Sequence, residues 1–203
     1  MITLYHTPQS RSARARWMLE ELGVPYEVKK IDLAAGEQKR PDYLRLNPNG
    51  TVPTLVDGDF VLFESAAIVQ YLADKFAEKH LAPPPGTPAR GLYYQWIQYA
   101  MCAFEPPLVT IFMHTVRRPE AERIPALLAE ARPQLTAALG VVDRALAGRP
   151  FILGKDFSAA DVMLGSTLGW ARMMGFGGED HPNVSRYVTE LVARPAFQRA
   201  SAA

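Results

Sequence analysis

The sequence has little cysteine and no excess of charge of either sign. Cys102 is the single cysteine among 203 residues, so the chain cannot form an intramolecular disulfide and has no CxxC pair for redox or zinc chemistry. The 22 basic and 21 acidic residues give a formal charge of +1. That balance excludes a global electrostatic footprint for nucleic acid or an anionic membrane surface. The four histidines show no metal-ligand spacing, so we predict no metal.

Long apolar runs are also missing. No uninterrupted hydrophobic stretch approaches the roughly 18 residues that span a bilayer, and the first ten residues, MITLYHTPQS, lack the basic-then-apolar profile of a signal peptide. With 48% hydrophobic and 21% charged residues, the composition is that of an ordinary globular protein. We therefore expect a soluble protein of a reducing compartment, the cytoplasm.

A proline-rich segment divides the chain. Residues 80–91 read HLAPPPGTPARG, and prolines remove backbone donors and disfavour helix in the residue before them. Short strand-like runs alternate with helical patterns before this segment, and nearly everything after it has helical periodicity. The sequence therefore predicts an α/β domain over residues 1–79, a linker over 80–90 and an all-helical domain over 91–203.

The first domain shows a definite order of elements. The predicted strands are 2–5, 26–33, 54–56 and 60–63, and the predicted helices are 11–22, ended by Gly23, and 65–78. Asp57-Gly58 joins the last two strands as a hairpin turn. The resulting order is β-α-β-(loop or α)-β-β-α, an α/β sandwich.

In the helical part, Ser158 and Asp161 are spaced as a capping box. The Ser158 hydroxyl can accept from the Asp161 N–H, while the Asp161 carboxylate reaches back to the Ser158 N–H. This predicts a helix from Ser158 to Met173. Cys102, within an aromatic helical pattern, is predicted to be a buried small hydrophobe.

Three polar corners of the first domain point to one kind of ligand. In the first, the turn Thr7–Ser12, hydroxyls lie near a helix N-terminus, where N–H groups and the helix dipole favour an anion such as a thiolate. The alternative is that Ser10 merely caps the helix. Among the nearby arginines, Arg14 and Arg16 oppose the dipole, and we expect solvent to screen them.

The other two corners suit a peptide-like ligand. Pro53 precedes a short strand, and a cis Val52–Pro53 bond would let the N–H and C=O of Val52 pair with an extended ligand; an ordinary trans bond is the alternative. Ser65, at a helix start, offers a hydroxyl and N–H groups to a carboxylate, and Glu64 offers a carboxylate to an ammonium. A zwitterionic amino-acid end fits that pair, and simple helix capping is the alternative.

Taken together, four segments carry a family resemblance. They read LYHTPQSRSARARWMLEELGVPYE, NPNGTVPTL, GDFVLFESAAIVQYL and FSAADVMLG, and they extend from Leu4 to Gly165. In this order they resemble the glutathione S-transferases, with serine-type bacterial, theta-like and zeta-like members closest. The resemblance implies a thioredoxin-like first domain (βαβαββα), an all-α second domain, and glutathione as co-substrate without any cofactor.

The resemblance also implies roles for individual residues. Pro53 corresponds to the family's cis-proline, next to Val52, and Glu64-Ser65 to its γ-glutamyl-binding pair. Thr51 stands where many relatives have lysine or glutamine, and Gln38 and Lys39 are the candidate replacements in the glutathione site. The catalytic candidates are Ser10 and Ser12; Ser10 is preferred because the family's catalytic hydroxyl precedes by two or three residues the serine that Ser12 matches.

The expected function is transfer of the glutathione sulfur to a small apolar electrophile held by the helical domain. Phe104, Phe112 and Met174 are the candidates for that acceptor site. Two alternatives stay open: a glutathione-dependent isomerase of the maleylacetoacetate type, and a non-catalytic interaction protein related to the transferases. The resemblance also implies a homodimer, and we expect no nucleic-acid or membrane partner.

Overall fold

The computed structural model describes residues 1–202, which form two compact units. The first unit contains Met1–Ala82 and the chain from Val192 onward, and the second contains Pro83–Leu191. Of the described helices, none is long and apolar enough to cross a membrane.

The first unit is built on a four-stranded sheet. Its strands are β1 (Ile2–His6), β2 (Tyr26–Lys30), β3 (Thr54–Asp57) and β4 (Phe60–Phe63), in the spatial order β2-β1-β3-β4. β1 is parallel to β2 and antiparallel to β3, which pairs antiparallel with β4. The predicted β2 extended to Leu33, but the strand ends at Lys30 because β1, its only partner, ends at the paired residue His6.

Three helices of the first unit lie between or after these strands: α1 (Ser12–Leu22), α2 (Pro41–Leu44) and α3 (Ser65–Lys75). The apolar stripe of α1 packs with α3 and with the face of β1 that carries Leu4. Tyr43 of α2 contacts Tyr5 at 5.5 Å between ring centroids; because side chains alternate along a strand, this contact lies on the opposite face of the sheet. The element order confirms the predicted sandwich and resolves the open "loop or α" segment as a short helix.

The second unit is helical in its regular structure. Its helices are α4 (Pro88–Gln98), α5 (Glu105–Phe112), α6 (Pro125–Ala145), α7 (Ala159–Met173) and α8 (Pro182–Val192), with π-helical segments at Tyr99–Phe104 and Met113–Arg117. The predicted linker of 80–90 is too long by three residues. Proline is favourable at the first position of a helix, and Thr87 caps α4 by accepting a hydrogen bond from the Arg90 N–H.

The start of α7 confirms the predicted capping box. One oxygen of the fully buried Asp161 carboxylate accepts from the N–H of Ser158 at 2.8 Å and from its hydroxyl at 2.9 Å. The other oxygen accepts from the Ile152 N–H at 2.8 Å and the Tyr187 hydroxyl at 2.7 Å. The carboxylate therefore ties the helix start to a preceding turn and to α8.

The last helix, α9 (Pro195–Ser201), belongs to the first unit rather than to the predicted 91–203 domain. It packs on α1, where Phe197 meets the edge of Trp17 at 4.9 Å between ring centroids. Arg194, just before α9, forms a two-bond ion pair with Glu21. The sequence predicted a helical end to the chain, but these partners lie more than 170 residues away, beyond the reach of local patterns.

Candidate active site

Strand register brings the three polar corners together where β1 and β4 end and β3 begins, and this margin of the sheet is called the sheet edge. Tyr5 of β1 pairs with Thr54 of β3, and Thr54 pairs with Phe63 of β4. These three paired residues lie side by side in the sheet. The first turn follows β1 there, the Glu64-Ser65 pair follows β4, and the Val52–Pro53 bond precedes β3, so the three corners are neighbours. The sequence placed these corners far apart in the chain, and the antiparallel pairing makes them neighbours.

Backbone conformation marks two of these corners as constrained. Only three non-glycine residues among those described have positive φ: Gln9 at 56°, Glu64 at 72° and His80 at 56°. Such conformations are unfavourable for residues with a Cβ and are kept where the surrounding structure demands them. Gln9 lies within the first of the three predicted ligand-binding corners, and Glu64 lies within the third.

The first turn separates the two candidate serines. Ser10 is partly exposed just before α1, and its hydroxyl lies 2.7 Å from the Thr7 carbonyl and 2.7 Å from the Ser12 hydroxyl. Ser12 is 0% exposed, and its hydroxyl also lies 2.7 Å from His6 Nδ1 and accepts from the Thr7 N–H at 3.0 Å. Ser12 is therefore a buried structural residue, and its candidacy for direct contact with a thiol is wrong.

His6 is a buried histidine at the end of β1. Burial, assisted by the Arg16 guanidinium, lowers the pKa of His6 to about 4. The imidazole is therefore neutral at physiological pH.

At the third corner, Arg14 reaches Ser65, although the sequence predicted that solvent would screen this arginine. Arg14 is 3% exposed, not screened by solvent, and its Nη1 donates to the Ser65 hydroxyl oxygen at 3.2 Å. Because that oxygen accepts, the hydrogen of Ser65 remains free for a ligand. The two residues lie 51 positions apart in the sequence, so local spacing gives no signal for this contact.

Around the second corner, the Val52–Pro53 bond is cis, as the resemblance implied. Neither the N–H nor the C=O of Val52 has a hydrogen-bond partner among the described residues. The preceding carbonyl, that of Thr51, accepts from the Tyr43 hydroxyl at 2.6 Å and from Asn47 Nδ2 at 2.8 Å. These two hydrogen bonds fix the loop through the Thr51 carbonyl, and the main-chain N–H and C=O of Val52 stay available to pair with a ligand.

Gln38 and Lys39 lie against the turn that leads to Val52. Lys39 donates its Nζ hydrogen to the Asn49 carbonyl at 3.1 Å, and the buried Oε1 of Gln38 has no partner among the described residues. Gly50 has a φ of +58°, and a Cβ there would lie 2.7 Å from Lys39 Nζ and 2.8 Å from the Gln38 carbonyl. Glycine is therefore required for the turn to fit against these two residues.

Family models match both units of the chain. The model for the glutathione S-transferase N-terminal domain matches residues 1–74, and the model for the C-terminal domain matches residues 125–190. The chain belongs to the glutathione S-transferase family.

Named members of the family match along almost the whole chain. Glutathione S-transferase 3 of Zea mays is 34% identical over 208 residues, which cover 100% of this chain and 94% of the relative. Glutathione S-transferase GstB of Escherichia coli is 31% identical over 203 residues, covering 98% and 97% of the two chains.

Solved glutathione transferases share the fold. One from Phanerochaete chrysosporium, in complex with oxidised glutathione, superposes with a TM-score of 0.89 at 29% identity, covering 98% of this chain and 94% of that one. A family member from Pseudomonas fluorescens, with two glutathione molecules bound, gives a TM-score of 0.87 at 28% identity, covering 98% and 92%. The first unit of this glutathione S-transferase is thus the thioredoxin-like domain and the second its helical domain.

The acceptor candidates in the helical domain of this transferase differ in exposure. Phe104 is 0% exposed and belongs to the core, so its predicted role as an acceptor-lining residue is wrong. Phe112 is partly exposed and meets the edge of Trp170 at 5.5 Å between ring centroids. Met174, at the end of α7, is also partly exposed.

Two further features concern the cysteine and the possible metal ligands. Cys102 is exposed rather than buried as predicted, and its thiol donates to Gln98 Oε1 at 3.6 Å. Residues 1–202 contain no group of three or more histidine, cysteine, aspartate or glutamate side chains that could hold a metal ion.

Proposed function

We propose that this chain is a glutathione transferase, which binds glutathione at the sheet edge of its first unit and activates the thiol for attack on small apolar electrophiles. The observation that carries the proposal is the convergence of the three corners through the pairing of Tyr5, Thr54 and Phe63. The relatives named above are glutathione transferases, and the two similar structures named above hold oxidised glutathione and glutathione.

Ser65 and Glu64 bind the γ-glutamyl end. The free hydrogen of the Ser65 hydroxyl and the N–H groups at the start of α3 donate to the α-carboxylate. Arg14 adds positive charge beside that hydroxyl, which favours an anion in this partly buried place. The exposed carboxylate of Glu64 pairs with the α-ammonium.

Val52 binds the peptide part of glutathione. Its unpaired N–H and C=O can form two main-chain hydrogen bonds with an extended ligand, as an added strand does. Lys39 and Gln38, which lie against the same turn, provide the ammonium and amide groups for the glycyl carboxylate.

Ser10 activates the thiol, which makes the chain a serine-type transferase. Its hydroxyl lies at the N-terminus of α1, where N–H groups and the helix dipole stabilise an anion. A hydrogen bond to the sulfur favours the thiolate and lowers the thiol pKa. Water takes the thiol proton, the sulfur lone pair forms the new bond to the electrophilic carbon, and the displaced group leaves with its bonding electrons.

The acceptor is held by apolar surface that includes Phe112 and Met174, the two candidates that remain partly exposed. The transferase names of the relatives favour conjugation over the isomerase and over the non-catalytic alternative. A homodimer and a cytoplasmic location stay predictions.

Retention on glutathione-agarose, followed by conjugation assays with a panel of electrophiles, tests the proposal. We expect retention, elution by free glutathione, and turnover of at least one apolar electrophile. Ser185→Ala in α8 is a matched control that should behave as wild type, because no described hydrogen bond uses its hydroxyl. A folded protein that neither binds the resin nor conjugates any electrophile would contradict the proposed function.

A further inference from the structure

A chain of hydrogen bonds links the buried His6 to Ser10. His6 Nδ1 lies 2.7 Å from the Ser12 hydroxyl oxygen, which lies 2.7 Å from the Ser10 hydroxyl oxygen. His6 and Ser12 are buried, and Ser10 is partly exposed. These hydrogen bonds therefore connect the interior of the first unit to its polar edge.

The number of hydrogens shared by His6, Ser12 and Ser10 limits how these three side chains can hydrogen-bond. A serine hydroxyl has one hydrogen and accepts two, and a neutral imidazole carries its proton on one of its two nitrogens. The Thr7 N–H already donates to the Ser12 oxygen, and the Thr7 carbonyl, near both hydroxyls, can only accept. The tautomer of His6 consequently decides what is left for Ser10.

With the proton on Nε2, Nδ1 is a buried acceptor that the Ser12 hydroxyl must satisfy. The Ser12 oxygen then has one lone pair left, and it competes with the Thr7 carbonyl and with a ligand for the hydrogen of Ser10. With the proton on Nδ1, His6 and the Thr7 N–H fill both lone pairs of Ser12. Ser10 can then give its hydrogen only to the Thr7 carbonyl or to a ligand.

The surroundings keep this imidazole neutral, so its tautomer rather than its charge is the variable. Arg16 of α1 and Lys30 of β2 both oppose an imidazolium, and burial opposes it further. The main chain of Ser12 acts in the other direction but does not outweigh them.

We propose that His6 is a positioning residue that acts through Ser12: with its proton on Nδ1, it turns the Ser10 hydroxyl hydrogen toward the glutathione sulfur. This inference rests on the proposed role of Ser10 in activating the thiol. His6 and Ser12 touch neither glutathione nor the acceptor in this arrangement, and their effect is the direction of one hydrogen bond.

Variants of His6 test the inference through the pKa of the bound thiol, measured from the thiolate absorbance of the enzyme–glutathione complex against pH. His6→Leu keeps a similar volume without a hydrogen-bonding group, and we expect it to raise the thiol pKa by about half to one unit, the size of one hydrogen bond. His6→Asn places an amide near the position of Nδ1, and we expect it to restore a pKa close to that of the wild type. His6→Gln places its amide farther out, near the position of Nε2, and should resemble His6→Leu.

The affinity for glutathione separates positioning from damage to the site. We expect the dissociation constant for glutathione, measured at a pH where the thiol is protonated, to change less than threefold in all three variants. A thiol pKa that is unchanged in His6→Leu, or equally raised in His6→Asn and His6→Leu, would overturn the inference.

Should His6→Leu not fold, the tautomer is read directly in the wild-type protein by nitrogen NMR of labelled histidine. The inference predicts a proton on Nδ1 of His6 in the glutathione complex, and a proton on Nε2 would overturn it.

The double variant with Ser10→Ala distinguishes this inference from the proposed function. If His6 acts through Ser10, His6→Leu adds no further shift once Ser10 is alanine, because interacting sites are not additive. A thiol pKa unmoved by Ser10→Ala would contradict the role of Ser10 itself. A shift in Ser10→Ala without one in His6→Leu would contradict only the inference about His6.

Discussion

Among the hydroxyl groups of the candidate site, we expect that of Ser65 to have the largest effect on glutathione binding. Its oxygen accepts from Arg14, so its hydrogen is directed to the ligand. We predict that Ser65→Ala weakens glutathione binding about 10- to 100-fold, since a hydrogen bond to a charged group contributes about 1.5–3 kcal/mol. Calorimetric titration with glutathione measures this, with Ser185→Ala as the control. Equal affinity in Ser65→Ala and the control would contradict the assignment.

His6 gives the protein a pH-dependent stability. The pKa of His6 is about 4 in the folded protein and 6.5 in the unfolded chain, so between these values the unfolded chain binds the proton first. The free energy of unfolding should therefore fall by up to about 3 kcal/mol as pH decreases from above 6.5 to 4. Urea unfolding across this range measures the slope. His6→Asn should have a smaller slope above pH 5, and a slope equal to that of the wild type would contradict the account.

At the same scale, the sequence identified most of the side chains now found at the sheet edge. The family resemblance preferred Ser10 to Ser12, and the burial of Ser12 supplies the physical reason that the sequence alone did not contain. Arg14 was missed because its contact with Ser65 depends on the packing of α1 beside α3. Phe104 was misplaced because an aromatic helical pattern does not show which face of the helix is covered.

The start of α7 is held by the capping interactions that the sequence predicted. Asp161 accepts four hydrogen bonds in the interior, including that of Tyr187. We predict that Asp161→Ala lowers the free energy of unfolding by about 3 kcal/mol or more, because buried donors are left unsatisfied. Urea unfolding measures the change, and the exposed Asp156→Ala provides the control, within about 0.5 kcal/mol of the wild type. Equal stability of the two variants would contradict this role of Asp161.

Element boundaries followed from the sequence where local chemistry sets them. Gly23 ends α1 in the left-handed conformation, and the capping box of Ser158 and Asp161 begins α7. The prediction failed where a partner sets the boundary. β2 ends with its neighbour β1. The early start of α4 is different, because Pro88 at the first position of the helix is a local signal that the prediction missed.

For the whole molecule, the sequence predicted the two-part organisation and the element order of the first unit. It did not predict that the chain from Val192 onward packs with the first unit, where α9 meets α1. The ion pair of Arg194 with Glu21 and the ring contact of Phe197 with Trp17 join residues at opposite ends of the chain. Periodicity predicts a helix and its apolar face, but it does not identify the partner of that face.

The assembly state is a prediction at this scale. Family resemblance implies a homodimer. Sedimentation at micromolar protein should give a mass of twice 22.5 kDa. A mass of 22.5 kDa at that concentration would contradict the dimer.

The proposed function depends on glutathione binding with its sulfur beside Ser10. The most direct measurement is the thiolate absorbance of the glutathione complex against pH for wild type, Ser10→Ala and Ser12→Ala. We predict that the wild type lowers the thiol pKa below that of free glutathione and that Ser10→Ala raises it again by about one unit, with a smaller shift in Ser12→Ala. A wild-type complex with the pKa of free glutathione, or one left unchanged by Ser10→Ala, would contradict the account.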